Sequence, residues 1–135
     1  PCGAVLCTHS IAVRFGTGDL GTTFGGGPLA AAAIVATIDA INDENLLSNV
    51  RRSEAAIREK CVIGPVTRIQ GMGLLLGLVC DRPAVEVRDA LLSHDILTGT
   101  SSDPNILRIL APLVLELQHI DQLAEALRNI APATD

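Results

Sequence analysis

The stretch from Pro28 to Ile41 constrains this chain more than any other feature. Leu29, the alanines at 30–33, Ile34, Val35, Ile38 and Ile41 set apolar side chains nearly all round a helix. A helix without a polar face belongs where structure covers it on several sides. Pro28 suits its first position, where a missing N–H leaves no bond unmade. The run of alanines also lets a neighbouring element approach closely. Without a partner surface this helix would expose a large apolar patch, and association or poor solubility is expected.

A length of 135 residues allows one domain with a modest core and is short for a two-domain enzyme. A hydrophobic fraction of 48% and a mean hydropathy of +0.41 exclude a disordered tail. Ten basic and fifteen acidic residues, with no basic block, argue against nucleic acid as a partner. Gly71, Gly73, Gly77 and Asp81 interrupt the richest apolar stretch, so no membrane span is expected, and no signal peptide is visible. Cys2, Cys7, Cys61 and Cys80 form no C-x-x-C pair and are expected to be reduced, mostly buried thiols of a cytoplasmic protein. His9, His94 and His119 are widely spaced, lack a matched nucleophile or carboxylate pattern, and are expected to be structural.

Periodicity sets out the remaining elements. Residues 2–8 read as a short buried strand, followed by a Gly/Thr-rich loop from Arg14 to Gly27 that is long enough to suggest a role. Asn42-Asp43-Glu44 is expected to break the apolar helix, cap the next one and place acids in its first turn. Leu46, Val50, Ser53, Ile57 and Cys61 form the inner stripe of that second helix. Val66–Gln70 and Leu74–Cys80 predict two strands joined by a tight turn at Gly71-Met72-Gly73. A helix opening at Pro83, short strands at 96–98 and 106–110, and a final helix carrying Ile120, Leu123, Ala124, Leu127 and Ile130 complete the pattern. The order is two helices and then ββ-α-ββ-α, an α+β layer of helices on a largely antiparallel sheet.

The segment Gly21-Thr22-Thr23-Phe24-Gly25-Gly26-Gly27-Pro28 has physics that suits an anion. Two hydroxyls can donate, the glycines let backbone approach closely, and a helix N-terminus follows with unpaired N–H groups. Spacing alone is equally compatible with a flexible turn.

Four segments in order resemble the class-III, pyridoxal-phosphate-dependent aminotransferases. Gly21–Ala30 is similar to the family's H-G-[ST]-T-[YF]-G-G-N-P-L-A, and Ile69–Gly77 to its I-R-G-x-G-L-x-x-G. Asn105–Leu113 resembles N-x-[IVL]-R-[FL]-x-P-P-L, and Pro1–Val5 the segment that follows the family's Schiff-base lysine. Within the family the acetylornithine aminotransferase branch is the nearest match. The resemblance implies the C-terminal portion of a fold type I transferase, α/β at the edge of a large domain and α+β in a small one. Residues 1–41 would be a remnant of the large cofactor-binding domain, with a phosphate loop at 21–28, and residues 42–135 the small C-terminal domain.

It implies roles residue by residue. Thr23, with Thr22 beside it, would bind the phosphate of pyridoxal 5'-phosphate held by the other subunit of a homodimer. Arg108 would pair with the carboxylate of an amino-acid or 2-oxo-acid substrate, a task that suits a bidentate guanidinium. The sequence departs from the pattern at Leu20, Phe24, Gly27 and Gln70, where the family often has His, Tyr, Asn and Arg. The only lysine, Lys60, sits late in an amphipathic helix and reads as solvated, so no catalytic residue is assigned. The family lysine is expected upstream of Pro1. The complete enzyme would transfer an amino group from N-acetylornithine or a similar ω-amine to 2-oxoglutarate, and this chain alone would be inactive. A non-catalytic, amino-acid-binding α+β module is the alternative, and the segment 1–28 discriminates against it.

Overall fold

The computed structural model describes residues 3–21, 23 and 25–130. The chain divides into two compact units, Pro1–Glu44 and Asn45–Asp135.

In the first unit, residues 3–8 are irregular and exposed, and a single helical turn, α1 (His9–Ala12), follows. The strand expected at 2–8 is therefore absent among the described residues. Its apolar composition suits a strand, but an extended segment needs a neighbour for its N–H and C=O groups, and none pairs with it here. Among the described residues the loop to Gly27 carries no helix or strand. Helix α2 (Pro28–Asp43) opens at the proline as expected and runs two residues past Ile41. It buries no residue: Leu29 is 86% exposed, Val35 58% and Ile38 51%.

In the second unit, the cap of α3 (Leu46–Lys60) falls one residue beyond the Asn42-Asp43-Glu44 expected to supply it. Asn45 occupies the cap in the left-handed region, φ 51°, without a side-chain cap bond. Because α2 consumes Asn42 and Asp43, the acids end one helix instead of opening the next, and the first turn of α3 holds none. Strands β1 (Val66–Met72) and β2 (Leu75–Cys80) form the expected hairpin. Helix α4 (Ala84–Leu92) follows, then β3 (Gly99–Thr100), β4 (Ile106–Leu110) and α5 (Leu117–Asn129). The sheet order is β1-β2-β4-β3, antiparallel throughout. Strand β3 lies beyond the expected 96–98, because pairing with Leu107 and Arg108 selects Thr100 and Gly99.

Alternation divides the sheet into two faces. Leu76, Leu78 and Cys80 of β2 and Leu107 and Ile109 of β4 point into the core with Ile57, Ala84, Val87, Leu91, Ile120 and Leu127 from the helices. Each such aliphatic side chain stabilises the fold by roughly 1.5–3 kcal/mol. The other face carries Gln70, Gly77 and Arg108. Among the described residues no helix is long and apolar enough to cross a membrane.

Candidate functional site

The outer face of the sheet owes its shape to one row of cross-strand partners. Gln70 of β1 opposes Gly77 of β2, Gly77 opposes Arg108 of β4, and Arg108 opposes Gly99 of β3. Both neighbours of the arginine are glycine. A Cβ at Gly99 would lie 3.1 Å from one Nη and 3.2 Å from Nε of Arg108, so the guanidinium rests flat on that backbone. A Cβ at Gly77 would meet Ile106 Cγ2 at 2.8 Å and Gln70 Cγ at 3.2 Å. Glycine inside a strand often marks a close approach of this kind.

The result is an open groove of about 390 Å³, lined by Gln70, Gly71, Met72, Leu75, Leu76, Gly77, Ser101, Ile106 and Arg108. Arg108 has no ion-pair partner among the described residues. A guanidinium over a floor without side chains, with no paired carboxylate among the described residues, has donors free for an external anion. Met72 and Leu75 are exposed and give one end of the groove an apolar lining.

Helix α3 braces the rim of the groove. Arg58 donates to the carbonyls of Ile69 at 3.2 Å and Gly71 at 2.8 Å, and its guanidinium also binds Glu54 at 2.9 Å. Glu54 in turn accepts from the amide of Gly73 at 2.9 Å. The Arg58 hydrogen bond, followed by the Gly73 amide, holds the Glu54 carboxyl below its ordinary pKa. The hairpin turn is thus tied at three backbone groups. Asn49 donates to the carbonyls of Leu113 and Leu115, and Ser53 to that of Leu115, fixing the segment after β4.

The phosphate-loop residues belong to the first unit. Thr23 lies exposed in a turn, and Thr22 lies outside the described residues. Gly26 takes φ +71°, which favours glycine, and a Cβ on Gly26 or Gly27 would meet nothing within 4 Å. Gly27 caps α2 without a side-chain bond, and no acid stands in the first turn. The amides of Leu29 and Ala30 thus lack carbonyl partners among the described residues. Open backbone, free amides, an exposed hydroxyl and no opposing carboxylate fit the phosphate of pyridoxal phosphate. Thr23 and Arg108 fall in different units.

The remaining candidates lie elsewhere. Lys60 is half-exposed and ion-pairs with Asp121 of α5, the first cause of its raised pKa. His9, His94 and His119 are exposed and show no metal-binding cluster among the described residues. Cys61 and Cys80 are buried, but Cys7 is exposed, against the expectation of burial; Cys2 lies outside the described residues. Cys7 sits on the unpaired segment that forms no strand, which is why nothing covers it. The roles of Gly77 and Gly99 beside Arg108 were not foreseen from the sequence. Glycines two strands apart become neighbours of one arginine only through register.

Comparison with known proteins locates this arrangement. The family model described as aminotransferase class-III matches residues 1–131. Acetylornithine aminotransferase 1 of Bordetella pertussis is 37% identical over 132 residues, covering 94% of this chain and 33% of that protein. The mitochondrial acetylornithine aminotransferase of Alnus glutinosa is 34% identical over 140 residues, covering 100% of this chain and 31% of that protein. The chain spans about a third of the length of the curated relatives it matches. Among solved structures, the acetylornithine aminotransferase of Elizabethkingia anophelis superposes with a TM-score of 0.76 at 25% identity, covering 91% of this chain and 34% of that one. An ornithine aminotransferase of Toxoplasma gondii, with PLP at partial occupancy in its active site, gives 0.70 at 26% identity, covering 84% and 29%.

Proposed function

Because the chain belongs to the class-III aminotransferases, we propose that it forms part of a pyridoxal-phosphate-dependent enzyme acting on N-acetylornithine or a similar ω-amine, with 2-oxoglutarate as acceptor. The unit to Glu44 is read as the edge of a large cofactor domain and the unit from Asn45 as the small C-terminal domain. The names of the acetylornithine aminotransferases it resembles support the substrate class. The family match over 1–131 also favours this reading over a free-standing binding module, which would have no use for the Thr/Gly turn.

The observation that carries the proposal is the unpaired Arg108 guanidinium over a glycine floor. Its task is to bind and orient a substrate carboxylate, which holds the amine-bearing carbon at a set distance from the reacting group. Thr23, Thr22 and the first amides of α2 hold the phosphate; the exposed apolar residues Leu29, Val35 and Ile38 of α2 support their reaching it across a homodimer interface. When bound, pyridoxal phosphate supplies an electron-withdrawing ring that stabilises negative charge on the substrate carbon. No lysine of this chain is placed to exchange a proton there, since Lys60 is tied to Asp121 on the helical surface. The isolated chain is therefore read as inactive.

The test is glutamate formation from N-acetylornithine and 2-oxoglutarate by the complete protein loaded with pyridoxal phosphate. Arg108→Ala should lower kcat/KM by roughly ten- to a hundredfold, the worth of hydrogen bonds to a charged group. Full activity of that variant, or turnover by the 135-residue chain alone, would overturn the assignment.

A further inference from the structure

Gly99 of β3 stands directly opposite Arg108, and nothing in its own backbone asks for glycine. Its φ lies outside the left-handed region, unlike those of Gly71 and Gly73 at the hairpin turn. Core packing does not ask for glycine either. Thr100, the next residue, pairs with the buried Leu107, so alternation turns Gly99 to the outer face of the sheet. Strand β3 is also an edge strand. Glycine weakens a strand, and a close approach by another group accounts for one here.

The group that approaches is the arginine. A Cβ on Gly99 would stand 3.1 Å from an Arg108 Nη, 3.2 Å from Nε and 3.5 Å from Cζ, so the guanidinium supplies all three of its nearest atoms. The other glycine beside Arg108 offers no such place. A Cβ on Gly77 would meet Ile106 Cγ2 at 2.8 Å and Gln70 Cγ at 3.2 Å, and that space is already filled. The guanidinium is therefore shut out on the β2 side and admitted on the β3 side. Non-bonded carbon atoms pack at roughly 3.5–4.0 Å, so a methyl group at 99 would push the guanidinium from its place. The end of a flexible side chain yields before a hydrogen-bonded backbone does.

We propose that Gly99 is a positioning residue for Arg108: the side chain it lacks leaves the place from which the guanidinium meets the substrate carboxylate. Larger residues at 99 weaken carboxylate binding without weakening the fold. The inference rests on the carboxylate-binding role of Arg108 proposed above and adds the residue that sets its position.

The experiment is a double-mutant cycle on the complete protein loaded with pyridoxal phosphate. It combines Gly99→Ala and Gly99→Val with Arg108→Ala and reads KM, kcat and the inhibition constant of valerate, an unreactive carboxylate. Gly99→Ala should raise KM and the valerate constant about threefold and Gly99→Val about tenfold, with kcat within about twofold of the parent. In the Arg108→Ala background neither should add anything, because the group they displace is gone. The thermal midpoint should hold or rise, since both residues restrict the unfolded chain more than glycine does. Equal losses with and without Arg108, or a parent indifferent to both substitutions, would refute the positioning role while the Arg108 reading stands. A lowered midpoint for Gly99→Ala would refute it as well, by making the glycine a packing residue. If Arg108→Ala itself leaves KM and the valerate constant unchanged, both readings fall.

Discussion

Helix α2 and helix α5 are both rich in apolar residues, yet one buries nothing and the other buries five. In α5, Ile120, Leu123, Ala124, Ala126 and Leu127 share one face and meet the sheet and α3. In α2 the apolar residues run all round, and none is fully buried. The difference lies in where each helix finds its partner. An amphipathic helix states in its own pattern that half of it faces water, so the sheet beneath suffices. A helix apolar on every side needs cover on several of them. The second unit is thus built to hold itself together, and the first to be held.

The largest test of that contrast is a matched pair of truncations. Leu127→Ala, at a fully buried position, should destabilise the second unit by about 3–4 kcal/mol, whereas Ile38→Ala on the exposed face of α2 should shift stability by less than about 0.5 kcal/mol. Denaturant unfolding measures both. Equal losses would mean that α2 contributes to the same core, and the comparison would fail.

Alkaline pH gives a second, smaller contrast. Burial pushes the Cys61 thiol up to about 11, with Lys60 opposing the shift slightly and Asp121 adding to it. An unfolded cysteine loses its proton near pH 8.5, before the folded one does, so the stabilisation is complete below that pH. It is lost as pH rises from about 8.5 through 11, amounting to roughly 3 kcal/mol. Unfolding curves across that window should show the decline, and Cys61→Ala should flatten much of it. Peptide-level thiol labelling sharpens the same point at neutral pH. Cys7 of the first unit should react at once, and Cys61 only as the second unit opens.

The smallest expected effect on stability accompanies the clearest effect on association. Val35→Glu together with Ile38→Glu should leave the unfolding midpoint of the second unit in place while reducing the mass seen by light scattering. A chain already monomeric before substitution would show that α2 needs no cover.

Much of the second unit was legible in the order of residues. The stripes of α3 and α5, the strand at 106–110 and the hairpin all follow from period and turn chemistry, because those signals are local. The misplacements are also physical. Residues 3–8 have strand composition without a strand partner, and β3 moved from 96–98 to Gly99 because pairing is a long-range choice. At the site, Arg108 was singled out by its flanking residues, and Thr23 by the glycines after it. Gln70 stood out only as a departure from the family pattern.

The order of residues alone determined the main helices, the β1–β2 hairpin, which faces are apolar, and which family they belong to, since each depends on neighbours close in the chain or on motif identity. Only the tertiary structure decided that Gly77 and Gly99 flank Arg108 and that its guanidinium rests over Gly99. Strand register brings together residues up to 38 positions apart, as from 70 to 108, and no local periodicity encodes that pairing.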